Sequence, residues 1–137
     1  MSGALQISCL HQVAVPSSDL ARSIAFYQRG LGLALIAKFE PPGLAFFALG
    51  ATRLLVDAAA PSKPGGGVLY FRVSDIRGAC AALRERGVAI ESGPHAIHRD
   101  DTGTFGAAGE EEWMAFFRDP DGNVLALATR VPPRANP

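Results

Sequence analysis

The residues of this chain best suited to chemistry are its histidines and one run of carboxylates. His95 and His98 stand just before Asp100 and Asp101, and Glu110, Glu111 and Glu112 follow in the same stretch. His11 lies far upstream. Imidazole nitrogens and carboxylate oxygens together suit a hard or borderline divalent ion, which polarises the oxygens of a substrate. His11, His95 and Glu112 are the set that could converge on such an ion, be it Ni, Zn, Mn, Co or Fe. A plainer outcome stays equally open for two of them, with His95 following Pro94 in a turn and Glu112 in a solvated stretch. Asp100, Asp101, Glu110 and Glu111 are read as a solvated acidic loop, and His11 as a hydrogen-bonded strand residue.

Other chemistries have less behind them. Gly65-Gly66-Gly67 is not followed by a helix opening on Lys and Ser or Thr, so it is a flexible linker rather than a phosphate loop. No nucleophile sits in a strained elbow. Cys9 and Cys80 are the only cysteines, and both read as buried free thiols of a reducing compartment. Thirteen basic residues balance thirteen acidic ones, which leaves no electrostatic footprint for nucleic acid. No apolar run approaches the ~20 residues that cross a bilayer. The opening Met1-Ser2-Gly3-Ala4-Leu5 lacks the basic and long apolar regions of a signal peptide, so a cytoplasmic protein is expected.

The elements that must position these residues come as a repeat. Ser18-Asp19-Leu20 returns as Ser74-Asp75-Ile76, 56 residues later. Each follows an apolar strand-like run, Val13–Val15 or Leu69–Val73. Each opens an amphipathic stretch, with Leu20, Ile24, Tyr27 and Leu31 in one and Ile76, Cys80 and Leu83 in the other. Ser or Asp ahead of each is a suitable N-cap. Ala45-Phe46-Phe47 returns as Ala115-Phe116-Phe117, now 70 residues on, and Arg53–Val56 returns as Val124–Leu127. Asp119-Pro120-Asp121-Gly122-Asn123 is hairpin chemistry. The growth in offset places an insertion between His95 and Glu111, read as a long mobile loop. The spacing predicts an α+β chain of two βαβββ modules, about 8–57 and 68–129, within one domain of 1–137, with a Pro- and Gly-rich linker over 58–67. The Pro-rich tail from Val131 to Pro137 is expected to fray.

His11-Gln12-Val13-Ala14-Val15-Pro16 with Asp19-Leu20, Phe26-Tyr27 and Leu31-Gly32-Leu33 resembles the first module of the vicinal oxygen chelate superfamily, of glyoxalase, bleomycin-resistance and dioxygenase type. Tyr70–Ile76 with Arg86-Gly87-Val88 resembles the second, and Trp113–Asn123 resembles the closing hairpin. The resemblance implies curled mixed sheets enclosing a ligand cavity, and a homodimer. It does not select a reaction, because the superfamily hosts isomerases, epimerases, dioxygenases, thiol transferases and metal-free drug-binding proteins. Its enzymes carry His, Glu or Gln metal ligands on the first and last strands of each module. Here the matching positions are Gln12, Leu55, Val68 and Ala126. Three of the four cannot bind a metal, so no cofactor is expected. A one-residue slip of the first strand would bring His11 inward instead.

Strand alternation then assigns the cavity lining to Gln12, Ala14, Arg53, Leu55, Val68, Tyr70, Arg72, Val124 and Ala126. Leu54, Val56, Leu125, Leu127 and their neighbours should pack on the helices. Arg53 and Arg72 could meet an anionic or carbonyl-bearing ligand, or pair with Asp57 or Glu112 at the rim. Trp113 is expected to touch the ligand, and Phe46 and Phe116 to fill the core. Two functions follow. One is a binding protein for a small apolar or aromatic molecule, without the usual chelate. The other is a glyoxalase-type lyase or isomerase with a displaced metal at His11, His95 and Glu112.

Overall fold

Both helices start where a carboxylate can cap them. Asp19 and Asp75 are extended residues whose Oδ1 atoms accept the amides of Arg22 and Gly78, each at 3.1 Å. Each satisfies one of the amide donors left open at a helix start. The helices are α1 (Leu20–Ala25), which runs on into a π-helical turn over Phe26–Gly30, and α2 (Ile76–Glu85). The computed structural model describes residues 6, 9–59 and 67–133. Most of the expected linker, and the end of the expected frayed tail, lie outside the described residues.

The chain divides into two compact units, Met1–Pro64 and Gly65–Pro137. In the first, β1 (Gln12–Pro16), β2 (Ala34–Phe39), β3 (Leu44–Leu49) and β4 (Thr52–Asp57) form a sheet in the order β1-β4-β3-β2. In the second, β5 (Leu69–Arg72), β6 (Ile90–Asp100), β7 (Glu110–Arg118) and β8 (Val124–Val131) form a sheet in the order β5-β8-β7-β6. The outer pair β1·β4, and likewise β5·β8, is parallel, while the other pairs are antiparallel. Each unit is therefore a βαβββ module with a mixed sheet.

The registers repeat between the units. Leu55 has Ala14 and Phe46 as neighbours on either side, and Ala126 has Tyr70 and Phe116. These trios are related by the same offsets as the sequence repeat. In the first unit Val15, Leu54, Val56, Ala45 and Phe47 are buried with Leu20 and Tyr27. In the second, Leu125, Leu127, Ala115 and Phe117 are buried with Ile76, Cys80 and Leu83 of α2. Period-2 strands and period-3.6 helices thus put their apolar stripes together. The Asp119 turn is closed by its own carboxylate, with Oδ1 accepting the amides of Asp121 and Asn123, both at 2.9 Å. Oδ2 accepts the Asn123 side-chain amide at 2.7 Å.

Two expectations need correction. The segment from His95 to Glu111 is not a long loop. The inserted residues lengthen both strands of the β6–β7 hairpin, which spans 11 and 9 residues where β2 and β3 span 6 each. Only residues 101–109 remain as the connection. Three irregularities in the β6–β7 register hid the strand's alternation from a periodicity reading. At one of them Gly93 has φ +90°, and a Cβ there would meet the Met114 carbonyl at 2.5 Å. Cys9, expected in the core, is exposed, because β1 begins only at Gln12. Cys80 is buried, which pushes its thiol pKa up.

Candidate functional site

On the second unit, the sheet face opposite α2 is built in rows across the strands. One row reads Tyr70, Ala126, Phe116; the next reads Arg72, Ala128, Met114, His95; a third holds Arg130, Glu112 and His98. Rows on one face of a sheet are two residues apart, about 6.6 Å. Tyr70 and Phe116 stand edge to face across Ala126, with centroids 6.4 Å apart.

Beside these rows lies a cleft. A cavity of ≈ 300 Å³ is lined by Tyr70, Arg72, Phe105, Glu112, Ala128 and Arg130, among others. A second, of ≈ 460 Å³, shares Arg72, Phe105 and Arg130 and adds Ser74 and Glu110. Their size is that of a small-molecule site.

The wall carrying Phe105 is organised around Arg130. Its Nη2 donates to Oδ2 of Asp100 at 2.8 Å and its Nε to Oε1 of Glu110 at 2.9 Å. The same carboxylates hold the 101–109 connection. Asp100 accepts the amides of Thr104 and Phe105 at 2.8 and 2.9 Å, and Glu110 accepts that of Ala107 at 3.1 Å. These amide bonds and Arg130 bring the Asp100 pKa down to about 2. Glu110 and Asp100 in turn raise the pKa of Arg130. Gly106 is closely approached here, since a Cβ on it would lie 3.0 Å from Nε of Arg130 and 3.1 Å from Oε1 of Glu110. Phe105, next to it, is left 70% exposed.

The reading of Asp100 and Glu110 as solvated loop residues is therefore corrected. Asp100 is only 1% exposed. Local sequence places it in a polar stretch, whereas its partner comes from a strand 30 residues away. Asp101 fits that reading, as an exposed residue paired with exposed Arg99 at 2.9 Å.

Of the expected lining residues, Tyr70 and Arg72 face the cleft, and Ala126 lies buried beside Tyr70. Val68 precedes β5 and is exposed. Trp113 departs from its expectation. It sits on the helix side of the sheet, where the Arg77 guanidinium lies 5.1 Å from its ring centre. Glu112 and Met114, its neighbours on β7, face the other way. Phe116, expected in the core, is half-buried on the open face.

Gln12, Arg53 and Leu55 share one face of the first unit's sheet. Arg53 does not take the rim role expected with Asp57. Its Nη2 donates to Nε2 of His11 at 3.0 Å, and its guanidinium lies over the Phe46 ring. His11 itself is exposed and precedes β1, so the strand is not slipped by one residue. In the second unit Met114 stands opposite His95, and His98, not His95, stands opposite Glu112.

Arg130 and Phe105 were missed by sequence reasoning. The alternation Val124, Ala126, Ala128, Arg130 does lead to the first. A lone aromatic among Gly103, Gly106 and Gly109 was the only signal for the second.

Paired βαβββ modules with parallel outer strands define a class of small mixed-sheet proteins. The chain belongs to the glyoxalase/bleomycin resistance protein/dioxygenase superfamily, whose model matches residues 9–127. Among solved structures it is similar to TnmS3, an antibiotic binding protein from Streptomyces sp. CB03234. The identity is 30% over 90% of this chain and 97% of that one, with a TM-score of 0.72. A glyoxalase/bleomycin resistance protein of the same Streptomyces is 29% identical, over 88% of this chain and all of that one, with a TM-score of 0.67. A virulence protein from Salmonella typhimurium is 25% identical, over 90% and 98% of the two chains, with a TM-score of 0.70. No curated protein sequence matches the chain.

At the four positions that the resemblance assigns to metal ligands stand Gln12, Leu55, Val68 and Ala126. Leu55, Val68 and Ala126 offer only hydrocarbon. Gln12 alone brings an oxygen, its Oε1, which is buried without a hydrogen-bond partner among the described residues. Nor do three or more His, Cys, Asp or Glu gather into a metal-holding group among the described residues.

Proposed function

We propose that this protein binds a small, planar, largely apolar molecule in the cleft of its second unit, and that it does so without a metal chelate. The observation that carries this reading is the lining of the cleft, where the rings of Tyr70 and Phe105 stand with Arg72 around a volume of ≈ 300 Å³. In such a site rings give contact area and polar groups give orientation, and here Tyr70 and Phe105 stand with Arg72, Glu112, Thr129 and Arg130. The hydrocarbon side chains at Leu55, Val68 and Ala126 favour binding over metal-assisted chemistry. The likeness to an antibiotic binding protein supports the same direction.

The test pairs metal content with thermal denaturation of the full chain. Planar aromatic antibiotics and bleomycin are added in one series, and Ni, Zn, Mn, Co or Fe in the other. At a hundredfold excess over Kd a ligand adds about 2.7 kcal/mol of stability. The proposal expects at least one aromatic compound to raise Tm and the ions to leave it unchanged. A stoichiometric, tightly held ion would overturn it and favour a lyase or isomerase.

A further inference from the structure

The charges around the cleft narrow the ligand class further, on the proposal that the cleft binds an aromatic molecule at all. Asp100 and Glu110 are already satisfied by backbone amides and by Arg130. Two donors are open to a ligand. Arg72 lines both cavities and is exposed, and its guanidinium has no hydrogen bond or ion pair within the protein among the described residues. Arg130 Nη1 is buried and has no hydrogen-bond partner among the described residues, with only a long ion-pair contact of 4.0 Å to Oε2 of Glu112. A buried unpaired donor is costly, and a guanidinium is best satisfied by an anionic oxygen. Phe105 lines the same cavities as these donors, 70% exposed on a connection that Asp100 and Glu110 tie down. A ring held in place in water is apolar surface already ordered for a ligand, so little entropy remains to be lost on binding.

We propose that the cleft takes an aromatic acid, with its ring against Phe105 and its anionic oxygen on Arg72 and Nη1 of Arg130. Glu112, whose Oε2 lies only 4.0 Å from Nη1 of Arg130, opposes the anion and selects for ligands whose charge sits at the Arg72 end.

Two fluorescent probes with the same ring system separate the contributions. Anilinonaphthalene sulfonate carries an anion, and N-phenylnaphthylamine does not. Both are titrated into the full chain and into Arg72→Gln, Glu112→Gln and Phe105→Ala, each checked for an unchanged circular dichroism spectrum. Arg72→Gln should weaken the sulfonate about tenfold, the scale of one charge-assisted hydrogen bond, and leave the neutral probe within about twofold. Glu112→Gln should bind the sulfonate as well or better, and Phe105→Ala should weaken both probes. Arg72→Lys, which keeps the charge and loses the fork, should fall between wild type and Arg72→Gln. Equal effects of Arg72→Gln on the two probes, or weaker sulfonate binding by Glu112→Gln, would overturn the aromatic-acid assignment and leave the binding reading standing. If neither probe binds the wild-type chain, both fall.

Discussion

Asp100 and Arg130 meet at 2.8 Å although 30 residues separate them, and this ion pair fixes the wall of the cleft. The Asp100 side chain is 2% exposed and that of Arg130 12%. Arg130 keeps Glu110 when Asp100 is replaced, yet losing a charge from a buried pair is still more damaging than losing one from an exposed pair. Asp100→Asn should therefore lower Tm clearly, whereas Asp101→Asn, which breaks only the exposed contact with Arg99, should change it by no more than about 1 °C. Thermal denaturation of the two variants side by side checks this. Equal shifts would mean that the buried pair does not hold the connection.

The same carboxylate sets an acid limit. Its folded pKa is lowered to about 2, against about 3.9 for an unperturbed Asp. A lowered folded pKa means stability that is fully present above the unfolded value and is lost as pH falls from there towards about 2. Urea unfolding between neutral pH and this range should show wild-type stability falling below about pH 4, with a shallower fall for Asp100→Asn. Parallel profiles would contradict the assignment.

Gly106→Ala tests how closely the connection wraps Arg130. The added methyl would lie 3.0 Å from Nε and 3.1 Å from Oε1 of Glu110, both already held by hydrogen bonds. Such atoms cannot give way cheaply, so the variant should lose about 1–3 kcal/mol, the range for overpacking. Gly67→Ala meets nothing within 4 Å and is the control. Chemical denaturation of both measures the difference.

Phe117 and Phe105 should part stability from binding. Phe117 is fully buried, and truncation to Ala should cost about 3–5 kcal/mol. Phe105 is 70% exposed, so its truncation should leave stability within about 0.5 kcal/mol while weakening aromatic ligands. Urea unfolding and ligand titration on each variant read the two effects.

Much of the fold was legible in the residues. Asp19 and Asp75 stood where the caps stand, and the Leu55 and Ala126 trios follow the offsets of the repeat. The β6 strand was not legible, because Gly93, Pro94 and the irregular register break its alternation. The site was legible only in part. Tyr70 and Arg72 follow from alternation on a regular strand. Trp113 follows the same rule to the helix side, but its place beside an apparent loop drew it to the ligand. Asp100 was unreadable locally, since what buries it is Arg130, a contact across the sheet that no local pattern encodes.

The most direct test of the account is where a ligand lands. Amide chemical shifts of the full chain, followed by NMR during titration with anilinonaphthalene sulfonate, should move at Tyr70, Arg72, Phe105 and Ala128 and stay still along α2 and at Trp113. Saturable shifts clustered on α2, or none at the cleft, would contradict a binding site on this face.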